Sequence, residues 1–429
     1  MYIRGSDFSR RSLVMCAAAA VLAGCGGSQS LIGVSGAAAA RFPSPATKLA
    51  SSGFKPIYSF EGEPDGQVPN SDLVEVNGTL YGTTFTGGSG CASLHGCGTV
   101  FKITASGAED VVYRFSGKRD GAFPSGDLVN VNGTLYGVTN EGGASNEGIV
   151  FSVTTSGDEK VLHSFDERTD GAYPTGLTNV NGTLYGLTQE GGTYGAGTVF
   201  NITTSGSEDV IYGFGSGSGS DGFQPIGSLI NVKGVLYGAT EGGGTGCQRM
   251  SGSGCGTVFA VTTSGAEHVV YSFEGKKDGA LPRAGLTALN GVLFGTTSSG
   301  GISKYGTVFK VTTSGLETVL HRFTGEPDGR DSTARLVAIG GALYGTTYYG
   351  GSGCGAGYGC GTIFTVSTSG AERVLRALDG RSDGYYPEAG LTSVKGKLYG
   401  TAAGGGTNCY SGSNDTGCGT VFSMTPLRL

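Results

Sequence analysis

Seven Asp-Gly pairs are the first residues here with chemistry to offer, at Asp65, Asp120, Asp170, Asp221, Asp278, Asp328 and Asp383. A ring of carboxylates could bind cations, which take oxygen ligands. A residue present in every copy of a repeat, however, serves the copy. Aspartate closes turns through side chain to backbone hydrogen bonds, and glycine supplies positive φ. A proline four residues on (Pro69, Pro124, Pro174, Pro225, Pro282, Pro387) fixes the loop backbone. The seven aspartates are therefore read as structural. In the sixth copy Ser332 replaces the proline, within Arg330-Asp331-Ser332, and this is read as drift of the repeat.

The four histidines offer little. His163 and His321 take the tyrosine position of a Tyr-Ser-Phe-like segment and are read as surface aromatic substitutes; His268 lies just before such a segment. No Ser/His/Asp or Cys/His arrangement and no His-Glu-x-x-His motif is present. No catalytic residue, cofactor or metal site is assigned.

Ten cysteines remain to be placed. Cys16 and Cys25 belong to the N-terminal segment, and the other eight form local pairs: Cys91/Cys97, Cys247/Cys255, Cys354/Cys360 and Cys409/Cys418. Each pair falls between a Leu-Tyr-Gly and a Gly-Thr-Val-Phe segment. That gap is 11 residues in the second, third and fifth copies, which lack cysteine, and 16, 18, 16 and 19 in the first, fourth, sixth and seventh. Cysteine thus accompanies insertion, and a local disulfide limits the freedom of a Gly/Ser-rich loop. Two thiolates per pair are too few for zinc, which takes four ligands.

These residues need a scaffold, and the repeat supplies it. The Asp-Gly pairs recur at intervals of 55, 50, 51, 57, 50 and 55 residues. Each copy reads as four short strands, typified by Leu177–Val180, Thr183–Thr188, Thr198–Thr203 and Asp209–Phe214. Asn181-Gly182 joins the first two through a type I′ turn, where both residues accept positive φ. The Asn-Gly-Thr runs at Asn77, Asn132 and Asn181 are accordingly turns rather than glycan sites. Four antiparallel strands per unit of about 50 residues is the signature of a propeller blade. The last copy stops after its third strand, and the repeats open on an orphan fourth strand, Lys55–Phe60. The expected fold is all-β: a seven-bladed β-propeller of four-stranded antiparallel blades over residues 54–429. Pairing of the N-terminal strand with the C-terminal blade would close it and leave no free edge.

The order of strands, turns and glycines resembles kelch propellers. The Asn-Gly-Thr-Leu-Tyr-Gly-Thr-Thr, Gly-Gly and Gly-Thr-Val-Phe runs, covering essentially all of 54–429, resemble more closely the bacterial GloVer tandem repeats. The glycine pair comes late for kelch, and the chain has no tryptophan. The resemblance implies a fold and a surface location, not an activity.

The N-terminus carries an address. Arg4, Arg10 and Arg11 precede an apolar run from Leu13 to Ala23, which ends in Leu22-Ala23-Gly24-Cys25. This resembles a lipoprotein signal peptide over residues 1–24, with lipidation of Cys25. Ser9-Arg10-Arg11-Ser12-Leu13-Val14 also resembles a twin-arginine motif, so the export route stays open. Gly26 favours the outer membrane or cell surface. Residues 25–53 read as a flexible tether spanning about 30 Å.

The formal charge of the chain is −6, and residues 1–24 carry three arginines against one aspartate, so the remainder stands at −8. Such a balance attracts neither nucleic acid nor anionic lipid. The expected function is a monomeric cell-envelope protein, held to the membrane by lipid on Cys25, that binds a polysaccharide or a surface protein through its stapled loops. A glycan-acting hydrolase or lyase at the channel mouth is the alternative. A quinone-dependent dehydrogenase would need blade-docking tryptophans, which are missing.

Overall fold

The computed structural model describes residues 53–426, apart from 64, 92–95, 217–219, 248–253, 355–356, 408 and 410–416. Residues 1–24, Cys25 and the tether up to residue 52 lie outside the described residues.

Blade three shows how sequence becomes sheet. Its strands are Ala172–Val180, Thr183–Glu190, Thr198–Thr203 and Glu208–Gly213, antiparallel in chain order from the channel outward. The Asn181-Gly182 turn has φ of 53° and 91°, the two positive values a type I′ hairpin needs. The third strand, Thr-Val-Phe-Asn-Ile-Thr, is apolar on both faces because neighbouring blades cover both. Its Phe200 is fully buried, as are Phe101, Phe151, Phe259, Phe309, Phe364 and Phe422 at the same position elsewhere. The ring of Phe200 explains the glycine of Leu-Tyr-Gly: a Cβ on Gly186 would lie 2.3 Å from its Cζ.

Seven such sheets form the ring. Adjacent blades are joined by apolar contact. The last phenylalanine of one outer segment meets the third-strand phenylalanine of the next blade edge-on, as in Phe165–Phe200 and Phe214–Phe259 at 5.1 and 5.0 Å. The seventh sheet takes its outer strand from the other end of the described chain: Lys55–Ser59 pairs antiparallel with Thr420–Met424. No helix occurs among the described residues.

The prolines depart from the sequence reading. Pro69, Pro124, Pro174 and Pro225 lie in the innermost strands, opposite Thr84, Thr139, Thr188 and Thr240, rather than in loops. Proline lacks an N–H, so it sits only where the ladder needs none. Just beyond it the ladder shifts register, between Pro174 and Gly176 in blade three and between Ser125 and Val129 in blade two. In blades five, six and seven the innermost strand shrinks to three residues, Thr287–Leu289, Val337–Ile339 and Thr392–Val394, preceded by a single bridge at Ala280, Arg330 and Tyr385. The freed residues line the channel.

Candidate binding surface and channel

The structure places the seven loop aspartates at the outer strand of the preceding blade, away from the channel. Asp278 is typical. It accepts hydrogen bonds from Tyr271 Oη at 3.0 Å and from the Glu274 N–H at 2.7 Å. Asp65, Asp120 and Asp221 repeat this with Tyr58, Tyr113 and Tyr212. His163 and His321 stand in for the tyrosine at Asp170 and Asp328, and Arg376 does so at Asp383. Each carboxylate ties its loop to the strand it leaves.

The four cysteine pairs are disulfides, with Cα–Cα distances of 5.3, 5.5, 5.4 and 5.2 Å. Four disulfides fit an oxidising, exported environment. Each lies against the glycine that opens the following Asp-Gly loop. A Cβ on Gly275 would come within 2.4 Å of both sulfurs of Cys247–Cys255. Gly117 and Gly380 meet Cys91–Cys97 and Cys354–Cys360 in the same way, and Gly62 faces Cys418. The two sets of loops therefore share one face.

On that face one residue per blade adopts the left-handed conformation: Val68, Phe123, Tyr173, Gln224, Leu281, Asp331 and Tyr386, with φ of 53–58°. Such a conformation is costly for residues with a Cβ, most of all for a β-branched valine. Each N–H donates to a carbonyl of the preceding blade, at 2.8–3.1 Å; the acceptors include Cys97, Cys255, Cys360 and Cys418. The second cysteine of every disulfide thus also joins two blades.

Residues just after the proline position converge from all seven blades on a cavity of about 220 Å³. Arg335 of blade six crosses it. Its Nη2 donates to Asp72 Oδ2 of blade one at 2.8 Å and lies 3.7 Å from Asp127 Oδ2 of blade two. The Asp72 N–H donates to Asp127 Oδ1 at 2.9 Å, and the Gly390 N–H of blade seven donates to Asp72 Oδ1. Burial, with the charge of Asp72 added, pushes Asp127 up to about 6 although Arg335 opposes it. Arg335 is held firmly protonated, chiefly by Asp72. Glu388, also at the cavity, is pushed up to about 7 by burial, while a hydrogen bond from Tyr348 opposes the shift.

Tyr348 leads out of the channel into an aromatic cluster at blades five to seven. Tyr348 stacks on Tyr386 at 4.6 Å and 7°, and Tyr349 and Tyr385 meet Tyr386 edge-on. The Arg330 guanidinium lies over Tyr358, Tyr349 and Tyr305 at 4.8, 5.1 and 5.5 Å, all within cation–π range. Its Nη2 is buried and has no hydrogen-bond partner among the described residues. Tyr358 rides on the loop closed by Cys354–Cys360 and is 62% exposed. The break at Arg330-Asp331-Ser332 falls at this cluster. Arg330 lies at the centre of the cluster, and Ser332 is buried, donating to the Thr346 carbonyl at 2.8 Å.

Sequence reasoning missed Asp72, Asp127, Arg335 and the tyrosines. The signal for the latter was the doublets Tyr348-Tyr349 and Tyr385-Tyr386, which no other blade carries. It also read His163 and His321 in isolation, whereas each faces two carboxylates, Asp170 with Glu208 and Asp328 with Glu372.

Residues 46–251 and 246–428 match the model of the Gloeobacter/Verrucomicrobia repeat. The chain belongs to this repeat family. None of the curated proteins matches its sequence. Solved propellers similar to this Gloeobacter/Verrucomicrobia repeat protein include a gluconolactonase from Xanthomonas campestris, at 14% identity and TM-score 0.42 over 73% of this chain and 89% of that one. A PQQ-bound aldose sugar dehydrogenase from Streptomyces coelicolor shares 13% identity, with TM-score 0.44 over 73% and 97%. PorZ of Porphyromonas gingivalis, a bacterial surface component of the type-IX secretion system, shares 12%, with TM-score 0.46 over 85% and 47%.

Proposed function

We propose that this chain is a polysaccharide-binding protein of the cell envelope, a monomer exported by residues 1–24 and held to the membrane by lipid on Cys25. The binding reading is carried by the cluster of six tyrosines with Arg330 on the stapled face. Aromatic rings offer flat apolar area with a polar edge, which suits the C–H face of a pyranose. The Arg330 guanidinium holds three of these rings together by cation–π contact. The Leu22-Ala23-Gly24-Cys25 run and the four disulfides support the exported, anchored location.

The test is binding of the full-length protein to a polysaccharide panel by affinity electrophoresis and calorimetry, beside Y349A/Y358A. An anchor residue contributes about 2 kcal/mol, so the double variant weakens binding at least 30-fold with its melting temperature unchanged. A panel without a binder, or variants that bind like the parent, overturns the reading.

The raised Asp127 and Glu388 in the channel favour a second reading, a glycan hydrolase or lyase. It stands behind the first because Asp72 and Asp127 are engaged by Arg335. New reducing ends or unsaturated products from a bound polysaccharide, absent with E388Q, would reverse that order.

A further inference from the structure

Seven equivalent sites lie between the outer strands of adjacent blades. Each joins a side chain of one outer strand, the aspartate of the next loop and a residue of the following outer strand. Four sites hold Tyr, Asp and Glu, as in Tyr212, Asp221 and Glu267. One holds Arg376 and Asp383, and there Phe54 takes the place of the glutamate, its ring 4.9 Å from the guanidinium. A permanent cation at this site thus dispenses with the second carboxylate. The remaining two hold His163, Asp170 and Glu208 between blades two and three, and His321, Asp328 and Glu372 between blades five and six. These keep both carboxylates and exchange the phenol for an imidazole.

We infer that the two His–Asp–Glu clusters are divalent-cation sites of the zinc class, each fastening two neighbouring blades together. Their ligand atoms lie within 4.8 Å of one another. His163 Nε2 is 2.7 Å from Asp170 Oδ2, and His321 Nε2 is 3.1 Å from Asp328 Oδ2. All six residues are half-buried. Glu208 Oε1 and Glu372 Oε1 are buried without a hydrogen-bond partner among the described residues, so each site has an oxygen left to give. One imidazole nitrogen and two carboxylate oxygens are ligands zinc accepts at about 2.0–2.2 Å, with a fourth position for water. A neutral histidine with two carboxylates carries charge −2, which a divalent ion balances as Arg376 balances Asp383. The tyrosine sites lack the imidazole, whose lone pair makes the difference. On binding, Nε2 gives up its hydrogen bond to the aspartate and turns its lone pair to the metal, and any proton held by the cluster is released to solvent.

The test uses the full-length protein after dialysis against chelator. Co2+ is titrated as the probe, followed by its visible d–d absorption and by bound metal per chain. The parent takes up two equivalents, H163Y and H321Y one each, and H163Y/H321Y two fewer than the parent. Tyrosine is what four sibling sites hold, so these variants keep the fold, which circular dichroism checks. E208Q, which leaves the His163–Asp170 contact in place, also loses one equivalent. Zn2+ raises the melting temperature of the parent and not of H163Y/H321Y. Histidines that serve only as ion-pair partners give no Co2+ uptake by the parent, or equal uptake by parent and double variant; either result overturns the inference.

Discussion

Replacing Arg335 with methionine removes the one cation that the channel aspartates share. Arg335 Nη2 is 2.8 Å from Asp72 and 3.7 Å from Asp127. Deleting one partner of a buried ion pair costs about 3–5 kcal/mol, because the other charge is left unpaired. Arg335 is 40% exposed to the channel, so screening reduces this to about 1.5–3 kcal/mol here. The loss depends on pH in a direction the structure fixes. Asp127 is raised to about 6 by burial and by Asp72, with Arg335 opposing. Without Arg335 it rises further. Over the interval between its unfolded and folded values the native state holds a proton that the unfolded state lacks, so stability falls as pH rises. In the parent that fall is complete above about pH 6; in R335M it continues to higher pH. The melting-temperature gap between parent and R335M is therefore smaller at pH 5 than at pH 8. R335M/D72N/D127N, which removes all three charges, is more stable than R335M at pH 8. A gap no larger at pH 8 than at pH 5, or a triple variant no more stable than the single one, refutes the reasoning.

Three further predictions concern the stapled loops and the outer-strand glutamates. C247S/C255S opens a loop with a sequence separation of 8 and lowers unfolding free energy by about 2.5 kcal/mol in chemical denaturation, with the fold retained. G275V is worse, because it forces a β-branched residue to φ 75° and a Cβ into both sulfurs; it prevents closure of Cys247–Cys255, visible as two free thiols by titration. Glu109, Glu159, Glu267 and Glu317 are each pushed up to about 7, first by burial. Their folded values exceed the unfolded ones, so each contributes a loss of stability as pH rises from about 4.5 to 7. E267Q flattens the slope of stability against pH in that window, by at most about 1.4 kcal/mol per pH unit and by less for a half-buried group. An unchanged slope counts against a raised Glu267.

The repeating features were legible because they recur. The Asn-Gly turns, the Gly-Thr-Val-Phe strands and the cysteines that accompany insertions each state one local physical need several times over. The channel was not legible for the opposite reason. After the proline position the seven copies read Asn70-Ser71-Asp72, Ser125-Gly126-Asp127, Thr175-Gly176-Leu177, Ile226-Gly227-Ser228, Arg283-Ala284-Gly285, Thr333-Ala334-Arg335 and Glu388-Ala389-Gly390. Only the third position repeats a charge, at Asp72 and Asp127, while Arg283, Arg335 and Glu388 each stand alone, and Asp72 lies 263 residues from Arg335. Only the ring brings them together. His163 was visible as a substituted tyrosine, but Glu208 belongs to the next blade, and only the register of neighbouring outer strands makes it a partner.

The left-handed residue of each blade shows how a uniform ring supports a site that is not uniform. Its backbone is fixed twice, by the proline position that follows and by the N–H bond to the preceding blade at 2.8–3.1 Å. A conformation that costs on the order of 1–3 kcal/mol per residue is kept seven times, in blades whose side chains there are Val68, Phe123, Tyr173, Gln224, Leu281, Asp331 and Tyr386. The side chain is therefore not what selects the conformation; the interblade bond is. Because the backbone does not depend on the side chain, substitution at these positions alters what the face presents while leaving the ring intact. The chain has used that freedom unevenly. Arg330, Asp331 and the doublets Tyr348-Tyr349 and Tyr385-Tyr386 fall in blades six and seven, with Tyr305 beside them in blade five, and Glu388 and Arg335 open from there into the channel. Departures from the repeat, read against seven internal copies, mark the proposed binding face more sharply than the motifs every copy shares.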